Sequence, residues 1–149
     1  MSATGLNVFD KTLQTTNIWL DEIMAELEPD RQVAWKVLST VLHKLRDRLP
    51  IGLAVHLGAQ LPLLVRGVYY DQFEPARLPV ECNTREEFTA EVAEWLTDIR
   101  PVDPDDAVRC VFSVLSRHVT AGEIEKVQQA LPKNLRQSWE DLAKQPDAQ

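Results

Sequence analysis

The sequence predicts an all-α fold, a helical bundle of two pseudo-symmetric tandem repeats, on the basis of three observations. Apolar residues recur at helical spacing along most of the chain, and no segment alternates apolar and polar residues long enough to indicate a sheet. The second half also repeats the first in register, which indicates a duplicated unit of about four helices with a kink at a Leu–Pro step. The matched positions are Val41 with Val111, Leu45 with Leu115, Gly52 with Gly122, Leu61–Pro62 with Leu131–Pro132, and Arg66 with Arg136.

The chain is short enough for both repeats to belong to one domain. With 149 residues, the chain can bury an apolar core without a disulfide framework or a structural metal. We therefore expect a single helical domain over residues 1–149. Repeat one would span roughly 6–70, a connector 71–83, and repeat two roughly 84–144.

Four helices are predicted in repeat one. The first runs from near Phe9 to Leu27, because its apolar residues alternate three- and four-residue steps. Pro50 suits the first turn of the third helix, and Pro62 ends that helix and starts a fourth. The second helix has an expected inner stripe of Ala34, Leu38, Leu42, Leu45 and Leu49, with Lys36, His43, Lys44 and Asp47 outward. On the third helix, the expected inner face is Ile51, Ala54, Leu57 or Gly58, and Leu61.

Prolines and helix-capping residues predict the connector and the helices of repeat two. Residues 71–83 show no helical period, whereas Thr84 and Glu87 have the spacing of a capping box. Asp103 is placed to cap the second helix of this repeat, and Thr120 begins another capping-box pattern before the third. The expected inward residues are Phe88, Val92, Trp95 and Ile99; Ala107, Val111, Val114 and Leu115; Ile124, Val127 and Leu131; and Leu135, Trp139 and Leu142.

The composition argues against several classes of protein. The formal net charge is -7, and a negative surface repels the phosphate backbone, so we expect no nucleic-acid partner. No apolar run is long enough to cross a bilayer and no signal-peptide pattern is present, so we expect no membrane partner and a cytoplasmic location. Cys82 and Cys110 lack the spacing of a metal or redox motif.

Sequence patterns of known catalytic sites are also missing. Glycine-rich phosphate loops, serine nucleophile motifs and helix-turn-helix features do not occur. His43, His56 and His118 lie on separate predicted helices, and the acidic residues fit solvated helix faces better than a di-metal site. We therefore assign no catalytic residue, metal ligand or cofactor, although an enzyme site assembled from scattered helical residues stays open.

Three segments make the chain resemble a known family over nearly its whole length. They are FDKTLQTTNIWL, then HKLRDRLP followed by AVHLGAQLPLLVRGVYYDQF, and finally VFSVLSRHVTAGEIEKVQQALPKNLRQSW. In content and order they resemble the bacterial family catalogued as domain of unknown function 2267. The resemblance implies a small helical bacterial protein. It supplies no established activity, cofactor or catalytic residue.

Two groups of residues are candidates for binding. Arg66 and Arg136 each follow a Leu–Pro step, and two guanidinium groups facing one cleft could hold a carboxylate or phosphate. The alternative is that each arginine pairs with an acidic side chain or with helix carbonyls and fixes the kink. Tyr69, Tyr70 and Phe73 could bind a partner at an exposed edge, or be covered by the connector as a satellite core.

Two functions stay open on this basis. The first is a non-enzymatic module that binds another protein or forms a homo-oligomer, through the aromatic edge and the seam between the repeats. The alternative is a protein that binds a small molecule or anion, with or without catalysis, in a cleft between the repeats with Arg66 and Arg136 as clamps.

Overall fold

The computed structural model describes residues 2–28, 30–81, 83–97 and 102–144, with the side chains of the last helix described as far as Asp141. These residues form eight α-helices and one 3-10 turn, and the described ranges contain no strand. The prediction of an all-α fold is therefore confirmed for this part of the chain. The helices are α1 (Asn7–Leu27), α2 (Arg31–Asp47), α3 (Ile51–Ala59), α4 (Leu63–Tyr70), α5 (Arg85–Trp95), α6 (Pro104–His118), α7 (Ala121–Gln129) and α8 (Lys133–Lys144), and the 3-10 turn is Pro75–Arg77.

Short polar side chains start several helices by accepting hydrogen bonds from free amides of the first turn. Asp30 accepts from the Val33 amide at the start of α2. Thr84 accepts from the Glu87 amide at the start of α5, as the sequence predicts. Asp103 accepts from the amides of the second and third residues of α6, which confirms its predicted role as the cap. These local signals fix where the helices begin.

The predicted capping box at Thr120 and Glu123 is wrong. Thr120 precedes α7, but its side chain makes no cap hydrogen bond. Its hydroxyl accepts from Gln60 Nε2 at 3.2 Å, and its amide donates to Gln60 Oε1 at 2.9 Å. The contact with Gln60 takes the place of the predicted cap within α7, because α3 and α7 lie side by side.

Prolines separate the helices at both Leu–Pro steps. Pro62 lies between α3 and α4, and Pro132 lies between α7 and α8. A proline disfavours helical geometry at the residue before it and has no amide hydrogen to continue the helix. Pro50 lies just before α3 rather than within its first turn.

The buried apolar residues form one cluster with members from all eight helices. The helices α2 and α6 lie at its centre, since α2 packs against α1, α4, α5 and α6, and α6 packs against α1, α5, α7 and α8. All five residues of the inner stripe predicted for the second helix are buried. The predictions for Cys82, Ile99 and Leu142 concern residues or side chains outside those described.

Some residues expected on inner helix faces are exposed instead, among them Phe9 and Leu13 of the stripe that predicts the first helix. Ile51 is 49% exposed and Trp95 is 52% exposed. Ile51 is the first residue of α3, and the core contacts of this helix begin with Leu53 and Ala54. Trp95 is the last residue of α5, and its ring faces the ammonium groups of Lys36 and Lys44 rather than the core. Hydrophobic periodicity does not distinguish a core contact from such a contact at the edge of a groove.

Candidate functional site

A cavity of about 720 Å³ runs along the outer face of α2, which we call the α2–α5 groove. Its walls are α2, the end of α4, residues 71–80 of the connector, and α5. The connector is held against α2 by a hydrogen bond from the Val80 amide to the Asp47 carbonyl at 2.7 Å. The basic residues that line the groove are Lys36, His43, Lys44, Arg46, Arg48 and Arg77.

The three arginines of the groove are neutralised by nearby carboxylates. Arg46 pairs with Asp47 at 2.9 Å, and Arg77 pairs with Glu74. Arg48 pairs with Glu91 across the groove. Arg46 and Arg48 are buried, and because buried arginines hold their partners with several hydrogen bonds, these two side chains are part of the structure of the groove. Arg77 is 75% exposed, and its pair with Glu74 lies at the surface.

Arg46 also ties the end of α4 to α2. Its guanidinium group donates to the backbone carbonyls of Tyr69 and Asp71. The same group lies 5.3 Å from the centre of the Phe73 ring. Arg46 thus fixes the wall of the groove where α4 leads into the connector.

Arg48 is deeply buried, with 4% of its side chain exposed. Besides its pair with Glu91, it donates from Nη1 to the Lys44 carbonyl at 3.3 Å. Its Nε has no hydrogen-bond partner among the described residues. The positive charge of Arg48 also acts on its neighbours in the groove.

Two lysines of the groove have no such partner. Lys36 and Lys44 form no ion pair with any carboxylate in the described part of the chain. Their Nζ atoms lie 5.9 and 4.9 Å from the centre of the Trp95 ring, in cation–π geometry. Burial, and secondarily the charge of Arg48, lower the pKa of Lys44. Both lysine ammonium groups therefore face the groove without an ion-paired carboxylate. Because Asp71 also lines the groove, its five lysines and arginines face four carboxylates, Asp47, Asp71, Glu74 and Glu91, and one positive charge is left over.

His43 contributes a neutral imidazole to the groove. Burial lowers its pKa, against an opposing effect of its hydrogen bond with the Val68 carbonyl. Because a carbonyl oxygen only accepts, Nε2 is the nitrogen that bears the proton in this contact. At neutral pH, His43 holds α4 against α2 and adds no charge to the groove.

The arginines predicted as clamps bind helix carbonyls. Arg66 donates from Nε to the Gly58 carbonyl at 3.0 Å and from Nη2 to the carbonyls of Ala59 and Leu61 at 3.1 and 2.9 Å. Arg136 makes the matching bonds to Gln128, Gln129 and Leu131, at 3.1, 3.3 and 3.3 Å. Neither arginine lines the α2–α5 groove. Their role as a ligand clamp stays a prediction.

The aromatic residues predicted at a partner edge differ in exposure. Tyr69 is fully buried, its hydroxyl donates to the Ala54 carbonyl at 2.6 Å, and burial raises its pKa. Tyr70 and Phe73 are half-buried and contact one another edge to face. Any surface offered by this group comes from Tyr70 and Phe73, and its use by a partner stays a prediction.

The described residues contain no cluster of three or more His, Cys, Asp or Glu that could hold a metal ion. Cys110 is buried, and its burial raises the pKa of the thiol. No helix within the described ranges is both long and apolar enough to span a bilayer.

The sequence pattern does not identify Lys36, Lys44 and Trp95 as a group. It placed the lysines on a solvated face and the tryptophan in the core. The one available signal was that the two lysines recur on one face of a helix. The two lysines lie beside Trp95 because α2 packs against α5. A pattern within one helix does not predict which other helix packs against it.

Comparison with known proteins identifies a family. No curated protein matches the chain. A family model described as an uncharacterised conserved protein, DUF2267, matches residues 16–138. The matched range runs from the middle of α1 into α8, and so takes in the groove and both Leu–Pro steps. The chain belongs to the DUF2267 family of uncharacterised conserved proteins.

Proposed function

We propose that this protein binds a small anionic molecule in the α2–α5 groove, and that the groove is a cleft between two tandem repeats. The observation on which this rests is the pair of lysines that face the groove without a carboxylate partner. The volume of about 720 Å³ is within the range of small-molecule sites. An anion that bound there would neutralise charges that the protein itself leaves unpaired.

The division into repeats is supported by matching contacts. The hydrogen bonds of Arg66 and Arg136 go to carbonyls separated by the same offset as the arginines themselves. The helices α3 and α7 also begin and end at that offset. We accordingly take 6–70 and 84–144 as two repeats of a single domain, joined by a connector over 71–83. The groove then has α2 from one repeat, α5 from the other and the connector between them.

The charge of the whole protein makes this groove unusual. The chain has a formal net charge of -7, so most of its surface repels anions. Within the groove, the arginine pairs cancel and His43 is neutral, so the two lysine charges and the one carboxylate of Asp71 remain, which leaves one net positive charge. The partly buried setting reduces screening by salt, which strengthens attraction for an anion.

The proposal is tested by titrating the purified protein with inorganic pyrophosphate in a calorimeter, after native mass spectrometry has established whether an anion co-purifies. We expect saturable binding that weakens with added salt. Lys44→Gln and Lys36→Gln should each weaken binding about tenfold, which corresponds to one charge-assisted hydrogen bond.

The matched control is Lys126→Gln, which removes the same charge from an exposed position on α7. It should leave the affinity within about twofold, since a distant exposed charge is screened. Equal weakening in all three variants would show a general charge effect and contradict a site in the groove. Absence of saturable binding, together with a bare mass, would also contradict it.

Self-association is a second candidate, because large apolar side chains are exposed on one element. Five of them lie at or near the first half of α1: Leu6, Val8, Phe9, Leu13 and Ile18. Exposed apolar patches mark interaction surfaces in many proteins. In this function the protein is a non-enzymatic cytoplasmic module, and its partner is another protein or a second copy.

Sedimentation velocity over a range of protein concentrations tests this second function. Self-association through α1 predicts a concentration-dependent dimer that Phe9→Glu abolishes. Gln14→Glu adds the same charge at an exposed position of α1 and should leave the dimer intact. A monomer at every concentration would reject self-association.

A further inference from the structure

We propose that a second cavity, the α1–α4 pocket, binds a small carboxylate that has a short apolar chain. The pocket has a volume of about 360 Å³ and lies between one face of α1, residues 59–63 at the first Leu–Pro step, Arg66 and His118. It shares no lining residue with the α2–α5 groove, so binding at each site can be tested independently of the other.

The charges around the pocket favour an anion. Lys11, Arg66 and His118 line it, and no acidic residue does. Lys11 forms no ion pair with a described carboxylate. Arg66 uses Nε and Nη2 on helix carbonyls, which leaves Nη1 without a partner among the described residues. Lys11 and the Nη1 of Arg66 offer two charged donors, which match the two oxygens of a carboxylate.

A buried donor without a partner points to the position of an acceptor. Trp19 lines the pocket and is 1% exposed, and its Nε1 has no hydrogen-bond partner in the described part of the chain. Its ring stacks on His118 at 5.1 Å, and His118 is held in turn by Glu22 at 2.8 Å. Buried donors are rarely left unsatisfied. A carboxylate oxygen in the pocket would supply the missing acceptor.

The rest of the lining suits the apolar part of such a ligand. Val8, Leu61 and Leu63 line the pocket together with the Pro62 ring. The pocket also lies beside the first residues of α4, whose Leu64 amide donates to Thr12 Oγ1 at 3.2 Å. The amino end of a helix has a partial positive charge, which adds to the attraction for a carboxylate.

The probe for this site is sodium hexanoate, and the readout is the Nε1–H resonance of Trp19 in a ¹H–¹⁵N correlation spectrum. The resonance is assigned by its loss in Trp19→Phe. We expect hexanoate to shift this resonance downfield with saturation, because a new acceptor reaches the indole donor. Acetate, which lacks the chain, and hexan-1-ol, which lacks the charge, should each bind about tenfold more weakly or not at all.

The variant Lys11→Gln should weaken hexanoate binding about tenfold, whereas Lys126→Gln should leave it unchanged. Lys11 is exposed, so the change should not prevent folding. No shift of the Trp19 resonance would overturn the proposal, because hexanoate then does not reach the indole donor. An equal shift with hexan-1-ol, or equal affinity in Lys11→Gln, would also overturn it.

Discussion

At the scale of single residues, Arg66 and Arg136 show how one side chain can finish a helix. The carbonyls at the end of a helix lack the amide partners of its interior, and each arginine donates to the last two carbonyls of the helix before it and to the leucine carbonyl of the Leu–Pro step. A positive charge at this end of a helix also interacts favourably with the helix dipole. Bonds from each arginine to helix carbonyls are one of the two roles that the sequence allows, the other being a ligand clamp.

We predict that Arg136→Ala lowers the free energy of unfolding by about 2 kcal/mol, because the carbonyls of Gln129 and Leu131 lose their donor. Urea unfolding followed by circular dichroism measures this loss. Arg109→Ala is the control, because Arg109 pairs with Asp106 at the surface of α6 and such pairs contribute little. Equal losses in both variants would contradict the prediction.

His43 gives the stability of the fold a dependence on pH. Burial lowers its pKa in the folded protein, and Arg46 lowers it further, against opposing effects of the Val68 carbonyl, Asp47 and Asp71. The unfolded chain therefore binds the proton more readily than the folded one. Stability from this group is present above the unfolded pKa of about 6.5 and declines as the pH falls toward the folded pKa.

We predict that His43→Gln makes the free energy of unfolding less dependent on pH between about 7.5 and 5.5. Urea midpoints at several pH values in this window measure the slope. His56→Gln, at an exposed position of α3, should keep the slope of the original protein. A slope that is the same in both variants would rule out His43 as its source.

At the scale of elements, the helix starts show when local capping succeeds. Asp103 caps α6 with hydrogen bonds confined to the first turn, and nothing else competes for its carboxylate among the described contacts. Thr120 has the same local opportunity before α7, yet Gln60 takes its hydroxyl. Capping motifs therefore predict where a helix starts. They predict the hydrogen bonds of the capping side chain only where no residue from another element competes for that side chain.

We predict that Asp103→Ala destabilises the protein by about 1 kcal/mol, because two amides of the first turn lose their acceptor. Asp103→Asn keeps an acceptor oxygen and should lose much less. Thermal unfolding by calorimetry distinguishes the two variants. An equal loss in Asp103→Asn would show that the carboxylate charge, rather than the capping bond, is what matters.

At the scale of the whole molecule, the two halves share one core. The helix α2 packs against α5 and α6, and α1 packs against α6. The hydrogen bonds between Gln60 and Thr120 form a further contact between the two halves. Each half alone would expose the apolar faces that the other half now covers.

We therefore predict that fragments 1–83 and 84–149, expressed separately, do not unfold cooperatively, and that mixing them in equal amounts restores a cooperative transition. Circular dichroism with urea titration measures both states. The full chain under the same conditions is the reference. A cooperative transition in fragment 1–83 alone would mean that the first half can form its own core.

The sequence by itself determined the helices, because the signals that start, continue and end a helix lie within about one turn of each other. The helical spacing of apolar residues, the proline positions and the caps at Thr84 and Asp103 are all local signals. The segments around the Leu–Pro steps also indicated the family. Only the tertiary structure decided which side chains meet. Trp95 lies beside two lysines and Arg66 lies on helix carbonyls because whole elements pack together there, and such contacts depend on the entire chain.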